Sequence, residues 1–221
     1  MNTEKNFSIP LPTIRRYPAY LRLLKDYKAD GNEWISATNL ATDLRLIPIQ
    51  VRKDMACTGV EGKPKIGFKI DELILAIEHH LGWDNTTDAV LIGAGNLGNA
   101  LAGYKGFENY GLNIVAIHDS DPEKVGQKVA GISIKSMKVL EKTIHKLGIN
   151  IAILTVPGEV AQEIAERLVA AGIKGIWNFA PENLKLPADI IVQRTDLGTS
   201  FAELSSKLKN ALENKVNSAL L

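Results

Sequence analysis

An α/β chain in two parts, with short helices and a hairpin first and alternating strands and helices after, is what the sequence predicts. Three observations carry this reading. Residues 88–101, Asp88-Ala-Val-Leu-Ile-Gly-Ala-Gly-Asn-Leu-Gly-Asn-Ala-Leu101, read as a buried strand that runs into a glycine turn and then a helix. A second apolar run, 114–117, ends at Asp119, 21 residues after Gly98. Ahead of both, three short helical patterns and a basic hairpin occupy the first 70 residues. Together these predict a winged-helix domain followed by a Rossmann-type parallel-sheet domain, with boundaries at 1–82 and 83–199 and a C-terminal helix at 200–221.

Composition bounds the class. At 221 residues with 45% hydrophobic content, the chain has room for two modest domains with buried cores. No apolar run reaches the roughly 20 residues of a membrane helix, and the amino terminus is too polar for a secretory signal, so a soluble cytoplasmic protein without membrane partners is expected. The single cysteine, Cys57, excludes an intramolecular disulfide and any multi-cysteine zinc site. The net charge of +1 is a mean over unlike parts. Between Arg45 and Lys69 there are six basic residues (Arg45, Arg52, Lys53, Lys63, Lys65, Lys69) against the acids Asp54 and Glu61. A local patch of that kind suits a polyanion.

In chain order, Ile9-Pro-Leu-Pro reads as an extended lead, and Ile14, Tyr17, Leu21 and Leu24 give 13–28 one apolar helical face. Ser36 is a plausible N-cap for a short helix carrying Ala37, Leu40, Ala41 and Leu44. A third helix is predicted over 48–58, with Pro48 in its first turn, where a missing N–H costs nothing. Residues 59–70 read as a tight basic hairpin and 71–80 as a further helix closing on His79 and His80, which suit a helix C-terminus better than a metal. In a winged helix the third helix enters the major groove and the wing meets the flanking backbone. Gln50, Arg52 and Lys53 on that helix suit base edges and phosphates, and Lys63 and Lys65 on the wing suit phosphates. Spacing leaves open whether Arg15 and Arg16 face DNA or the neighbouring domain.

After a polar connector at 82–87 the chain alternates strand and helix. In Gly93-Ala94-Gly95-Asn96-Leu97-Gly98, the first glycine permits the turn, the second lets a pyrophosphate approach the backbone, and the third allows close helix–strand packing. Asp119 stands where this fold receives the adenosine ribose hydroxyls, and its charge favours NAD over NADP. Asp121-Pro-Glu123 is expected to begin a short helix, 129–134 a strand or hairpin, and 136–147 a helix. The strand from Asn150 ends at Thr155-Val156-Pro157, where the fold meets the ribose and nicotinamide, although Pro157 equally suits a plain strand terminator. A helix over 159–171 and strands at 174–178 and 190–193 follow. The last helix, from 200 to about 216, spaces Phe201, Leu204, Leu208 and Leu212 on one stripe, which a second copy of the chain is expected to bury.

The chain offers no placed acid–base pair, nucleophile or metal cluster, and the 134 residues from Asp88 onward are about enough for the nucleotide fold alone. A non-enzymatic nucleotide-responsive protein is therefore expected. A small NAD-dependent oxidoreductase and a CoA-binding domain of ligase type are the alternatives.

Five segments in order, Gln50-Val-Arg-Lys-Asp54, Gly93 to Gly98 with Ala100-Leu101 and Tyr104, Asp119-Ser-Asp-Pro-Glu-Lys-Val-Gly126, Thr155-Val-Pro157 and Ala170 to Pro181, resemble the Rex family of bacterial redox-sensing repressors over almost the entire chain. The resemblance implies a homodimer that binds a palindromic operator, senses NADH against NAD, and releases DNA when NADH binds. It also implies a final helix exchanged between subunits, and a polar relay mapping onto Arg16, Tyr104 and Asp196. Two places differ from the family pattern: Ala56-Cys57 replaces an aromatic pair, and the wing reads Lys63-Pro-Lys-Ile-Gly-Phe68.

Overall fold

Apolar residues at helical spacing early in the chain, and near-continuous apolar runs later, build two separate cores. The computed structural model describes residues 9–219. It divides into one unit of residues up to 86 together with 109–111, and a second of 87–108 and the residues from 112 onward.

The first unit holds α1 (Leu11–Ala29), β1 (Trp34–Ile35), α2 (Ala37–Asp43), α3 (Pro48–Ala56), β2 (Phe68–Lys69) and α4 (Ile70–Leu81). Tyr17, Tyr20, Leu24, Leu40, Val51, Met55, Leu73 and Ile77 are fully buried and join the four helices in one core. Ser36 caps α2, accepting from the Asn39 N–H at 3.0 Å. The first helix begins earlier than the expected extended lead allowed. Leu11 and Pro12 are helical because proline's fixed φ suits a first turn, where no N–H is required. The basic segment turns at Lys63 and Gly67, whose backbones exchange hydrogen bonds of 2.7 and 2.9 Å. Lys65 and Gly67 take left-handed φ of 64° and 108° at that tip. Behind it, β2 pairs antiparallel with β1, completing the wing.

The second unit holds β3 (Thr87–Ile92), α5 (Asn96–Ala102), β4 (Leu112–Asp119), β5 (Lys128–Val129), β6 (Ile132–Ser136), α6 (Leu140–Leu147), β7 (Ile151–Leu154), α7 (Gly158–Ala170), β8 (Gly175–Asn178), β9 (Ile191–Arg194) and α8 (Leu197–Ala219). Its sheet has the order β5-β6-β4-β3-β7-β8-β9, parallel throughout except for the β5–β6 hairpin. Without β5 this is the doubly wound order that reverses direction between its first and fourth strands, here β3 and β7. Val90, Ile92, Ala152 and Leu154 face α6 and α7, while Ala89, Leu91, Ile117 and Ile153 face the side that carries α5.

The short helix expected at Asp121-Pro-Glu123 does not form. The Asp119 carboxylate accepts the Asp121 N–H at 2.8 Å and the Asp121 side chain accepts the Glu123 N–H at 2.9 Å, so side chains compete with the helical pattern and leave turns. The final helix carries Phe201, Leu204, Leu208 and Leu212 with 69, 61, 56 and 55% of their surface exposed.

Candidate nucleotide crevice and nucleic-acid face

At the switch between β3 and β7 the two strand ends part and leave a cavity of about 550 Å3. Gly93, Gly95, Asn96, Leu97, Asp119, Thr155, Val156 and Pro157 line it; Ala94 and Gly98 do not, and act by shaping the loop. Each glycine has a distinct reason. Gly93 has φ +99°, and a Cβ there would lie 2.8 Å from the Thr155 carbonyl oxygen. A Cβ on Gly98 would collide with the Gly93 carbonyl. Gly95 has an ordinary extended backbone, and a Cβ there would meet no protein atom within 4 Å. Neither strain nor internal packing calls for glycine at 95, so the cradle a side chain would fill suits a bound group that must approach the backbone.

Asp119, 7% exposed, braces this loop. Its Oδ2 accepts the Ala94 N–H at 2.7 Å and its Oδ1 the Asp121 N–H at 2.8 Å, while Lys124 Nζ lies 3.3 Å from Oδ2 and 3.8 Å from the Asp121 carboxylate. Burial works against ionisation of Asp119, but the two N–H donors and the ammonium outweigh it and hold the carboxyl below the usual range. The Thr155 hydroxyl lies 3.0 and 2.8 Å from the Ile92 and Gly93 carbonyl oxygens, clasping the end of β7 to the loop. Sequence reasoning left Lys124 and Phe179 unassigned. Both line the cavity, and both lie in segments quoted for the family resemblance.

A smaller cavity of about 190 Å3 shares Leu97 and Phe179 with the first and is lined also by Arg194, Thr195 and Asp196. Asp196 accepts from Arg194 at 3.3 Å and from the Gly198 N–H at 2.9 Å. Tyr104 is half exposed and meets Phe107 edge-on at 5.0 Å; Phe107 in turn meets Trp177, and Trp177 meets Phe179. A row of rings thus joins Tyr104 to the crevice wall.

In the first unit α3 buries Val51, Asp54 and Met55 and turns Arg52 and Lys53 outward; Gln50 is half-buried. Asp54 is only 2% exposed, so this acid does not dilute the basic face. The Arg16 guanidinium grips it in a fork, Nε to Oδ2 and one terminal nitrogen to Oδ1, both at 2.7 Å. Tyr20 and Thr13 hydroxyls add bonds of 2.7 and 2.8 Å. Burial opposes ionisation of Asp54, yet these donors prevail and keep its carboxyl low. Arg16 is therefore engaged by α3 rather than free on the surface of α1. On the wing, the Lys63 ammonium sits 4.6 Å from the centroid of the Trp34 ring, while Lys65 is exposed at the tip.

The same two-part organisation recurs in known proteins. The family model described as "Putative DNA-binding protein N-terminus" matches residues 8–56, and the one described as "CoA binding domain" matches 84–182. The redox-sensing transcriptional repressor Rex of Treponema denticola is 48% identical over 193 residues, covering 87% of this chain and 92% of the relative. The chain belongs to the Rex family. Rex of Bacteroides fragilis is 38% identical over 90% of the chain and 91% of its own length. Two solved structures of the Rex-family repressor RSP agree across 95% of this chain. The complex with β-NAD+ and operator DNA has a TM-score of 0.86 at 35% identity and is covered over 97% of its length; the complex with β-NADH has 0.82 at 34% and is covered over 99%. In this Rex-family chain no helix among the described residues is long and apolar enough to cross a membrane.

Proposed function

We propose that this protein is a homodimeric, cytoplasmic transcriptional repressor that reads the NADH/NAD balance and leaves its operator DNA when NADH binds. Its parts are a winged helix within 1–82, a nucleotide-binding domain over 83–199 and an exchanged helix within 200–221, of which 1–8 and 220–221 lie outside the described residues. The observation that carries the cofactor reading is Gly95, the N-cap of α5, which leaves open space in a crevice at the sheet's switch point where a bound group can approach the backbone. Gly93 to Gly98 shape the pyrophosphate site, Asp119 faces the adenosine ribose, and Thr155, Val156 and Pro157 face the nicotinamide half. Gln50, Arg52, Lys53, Lys63 and Lys65 meet DNA. The uncovered stripe of α8 and the exposed edge residues Ile191 and Val192 favour a second copy as partner.

Sensing requires two states. NADH shifts the equilibrium only through a higher affinity for the DNA-free form, and DNA must weaken NADH binding by the same factor. Arg16, Tyr104 and Asp196 carry that coupling in our reading. The titratable groups lining the crevice are Asp119, Asp121 and Lys124, with Lys124 paired to both carboxylates; the reading of a sensor and not an enzyme is supported by relatives named as repressors. CoA is the second candidate ligand, because of the description attached to 84–182. The carboxylates of Asp119 and Asp121 disfavour the extra ribose phosphate that CoA and NADP both carry.

Titrating NADH, NAD+ and CoA into the protein–DNA complex, with fluorescence anisotropy of labelled DNA as readout, tests this. NADH is expected to release DNA, NAD+ to leave it bound and CoA to do nothing. Gly95→Val is expected to keep DNA binding and lose the response to NADH. Release by CoA alone, or a full NADH response in Gly95→Val, overturns the assignment.

A further inference from the structure

The outward face of α3 is not wholly polar. Ile49 lies one turn ahead of Arg52 and Lys53 and, with Ala56, shares their stripe opposite the buried Val51, Asp54 and Met55. Its surface is 61% exposed, and no core cluster takes it in. Val51 and Met55 of the same helix are fully buried, whereas Ile49 and the N-cap residue Ile47 are left exposed. A single apolar residue on a surface is ordinary, and what sets Ile49 apart is that it shares its stripe with two exposed cations.

We propose that Ile49 is a specificity-determining residue that packs on the C5-methyl group of a thymine in the major groove. This rests on the DNA-binding reading given above. The occupant follows from the surroundings of the side chain. Arg52 and Lys53 flank it, both exposed and without an ion pair among the described residues, and the acid nearest in sequence, Asp54, is turned inward and held by Arg16. Free cations beside an exposed apolar side chain match a base edge framed by phosphates, and they repel a second copy of the same basic face. Ile49 also stands at the second position of α3, and in helix-turn-helix proteins the first residues of the recognition helix reach the base edges. Thymine alone presents a methyl group in the major groove, while cytosine, adenine and guanine present polar atoms there. An isoleucine at this point therefore separates thymine from cytosine, a distinction that Arg52 and Lys53 do not supply.

The test removes the methyl group alone. Duplexes are enriched from a random pool by the NAD+-saturated full-length protein, and each thymine of one half-site is then replaced in turn by deoxyuridine. Wild type is expected to lose about three- to fivefold in affinity at one thymine, in line with burial of a single methyl group. Ile49→Ala is expected to bind the parent duplex more weakly, to be indifferent to uracil at that position, and to accept cytosine there, while its thermal midpoint and sedimentation stay those of wild type. A uracil effect of equal size in wild type and Ile49→Ala at every position, or none in wild type, overturns the inference. A change of oligomeric state in Ile49→Ala also overturns it and assigns the face to protein contact. If the pool yields no enriched sequence, the DNA-binding reading itself fails and this inference falls with it.

Discussion

Each unit of this chain keeps one buried aspartate, and the two are satisfied in opposite ways. Asp54 is held by side chains, the fork of Arg16 and the hydroxyls of Tyr20 and Thr13, and what it secures is the seating of α3 against α1. Asp119 is held mainly by main-chain N–H groups of Ala94 and Asp121, with Lys124 beyond, and what it secures is the shape of a loop. On the proposed function, the contrast suits what each site would present. A face that reads DNA needs its cations pointed out and its acid hidden. A crevice that takes a nucleotide needs a fixed backbone and a carboxylate on its wall.

The comparison breaks most sharply at Asp54. Asp54→Ala leaves Arg16 without its partner and is expected to destabilise the protein by about 2–4 kcal/mol, somewhat under the full cost of breaking a buried pair because the guanidinium reaches solvent. Urea unfolding followed by circular dichroism measures this, and operator affinity should fall with it while NADH affinity of the folded protein is retained.

Arg52→Ala probes the outward side of the same helix, where Arg52 makes no hydrogen bond or ion pair among the described residues. It is expected to cost about 1–3 kcal/mol in operator affinity and to relax specificity at one position if the contact is bidentate to a base. Lys65→Ala on the wing should instead weaken binding to all sequences and reduce the salt slope by about one. Loss of NADH affinity in either DNA-free variant would contradict the separation of the two sites.

At the crevice, Asp119→Ala leaves the Ala94 N–H without an acceptor and is expected to cost about 1–2 kcal/mol of stability. The same change should erode the preference for NADH over NADPH, as measured by calorimetry with both nucleotides. An unchanged preference would move discrimination to Asp121.

The smallest effect is expected from His118. This residue is fully buried, its Nδ1 lies 2.9 Å from the Ser136 carbonyl oxygen, and its Nε2 has no partner among the described residues. Burial lowers its pKa from 6.5, so the folded state holds it neutral. The unfolded chain binds the proton first as pH falls, so this residue's support of the fold is complete above 6.5 and declines from there toward its lowered folded value. His118→Leu should flatten the dependence of the urea midpoint on pH between 7 and 5.

Much of the molecule is written in local signals. Strand periods, the glycines at 93, 95 and 98, the Ser36 cap and the turn at 63–67 each depend on residues close in sequence, and from them the order of elements and half of the crevice lining are legible. The short helix expected after Asp119 failed for a reason that is also local but geometric, since only the folded turn shows its N–H groups drawn to side-chain oxygens. What the tertiary structure alone decided is the pairing across distance. Asp54 meets Arg16 38 positions away, Asp119 meets Ala94 across 25, and Thr155 meets Gly93 across 62. Sequence counted Asp54 and Glu61 as acids within a basic patch; docking of α3 on α1 buries Asp54 and leaves Glu61 as the one exposed acid between Arg45 and Lys69. Spacing along the chain reports which residues share a face, but which faces meet, and which charges are thereby taken out of water, is set only when the strands find their order and the helices their partners.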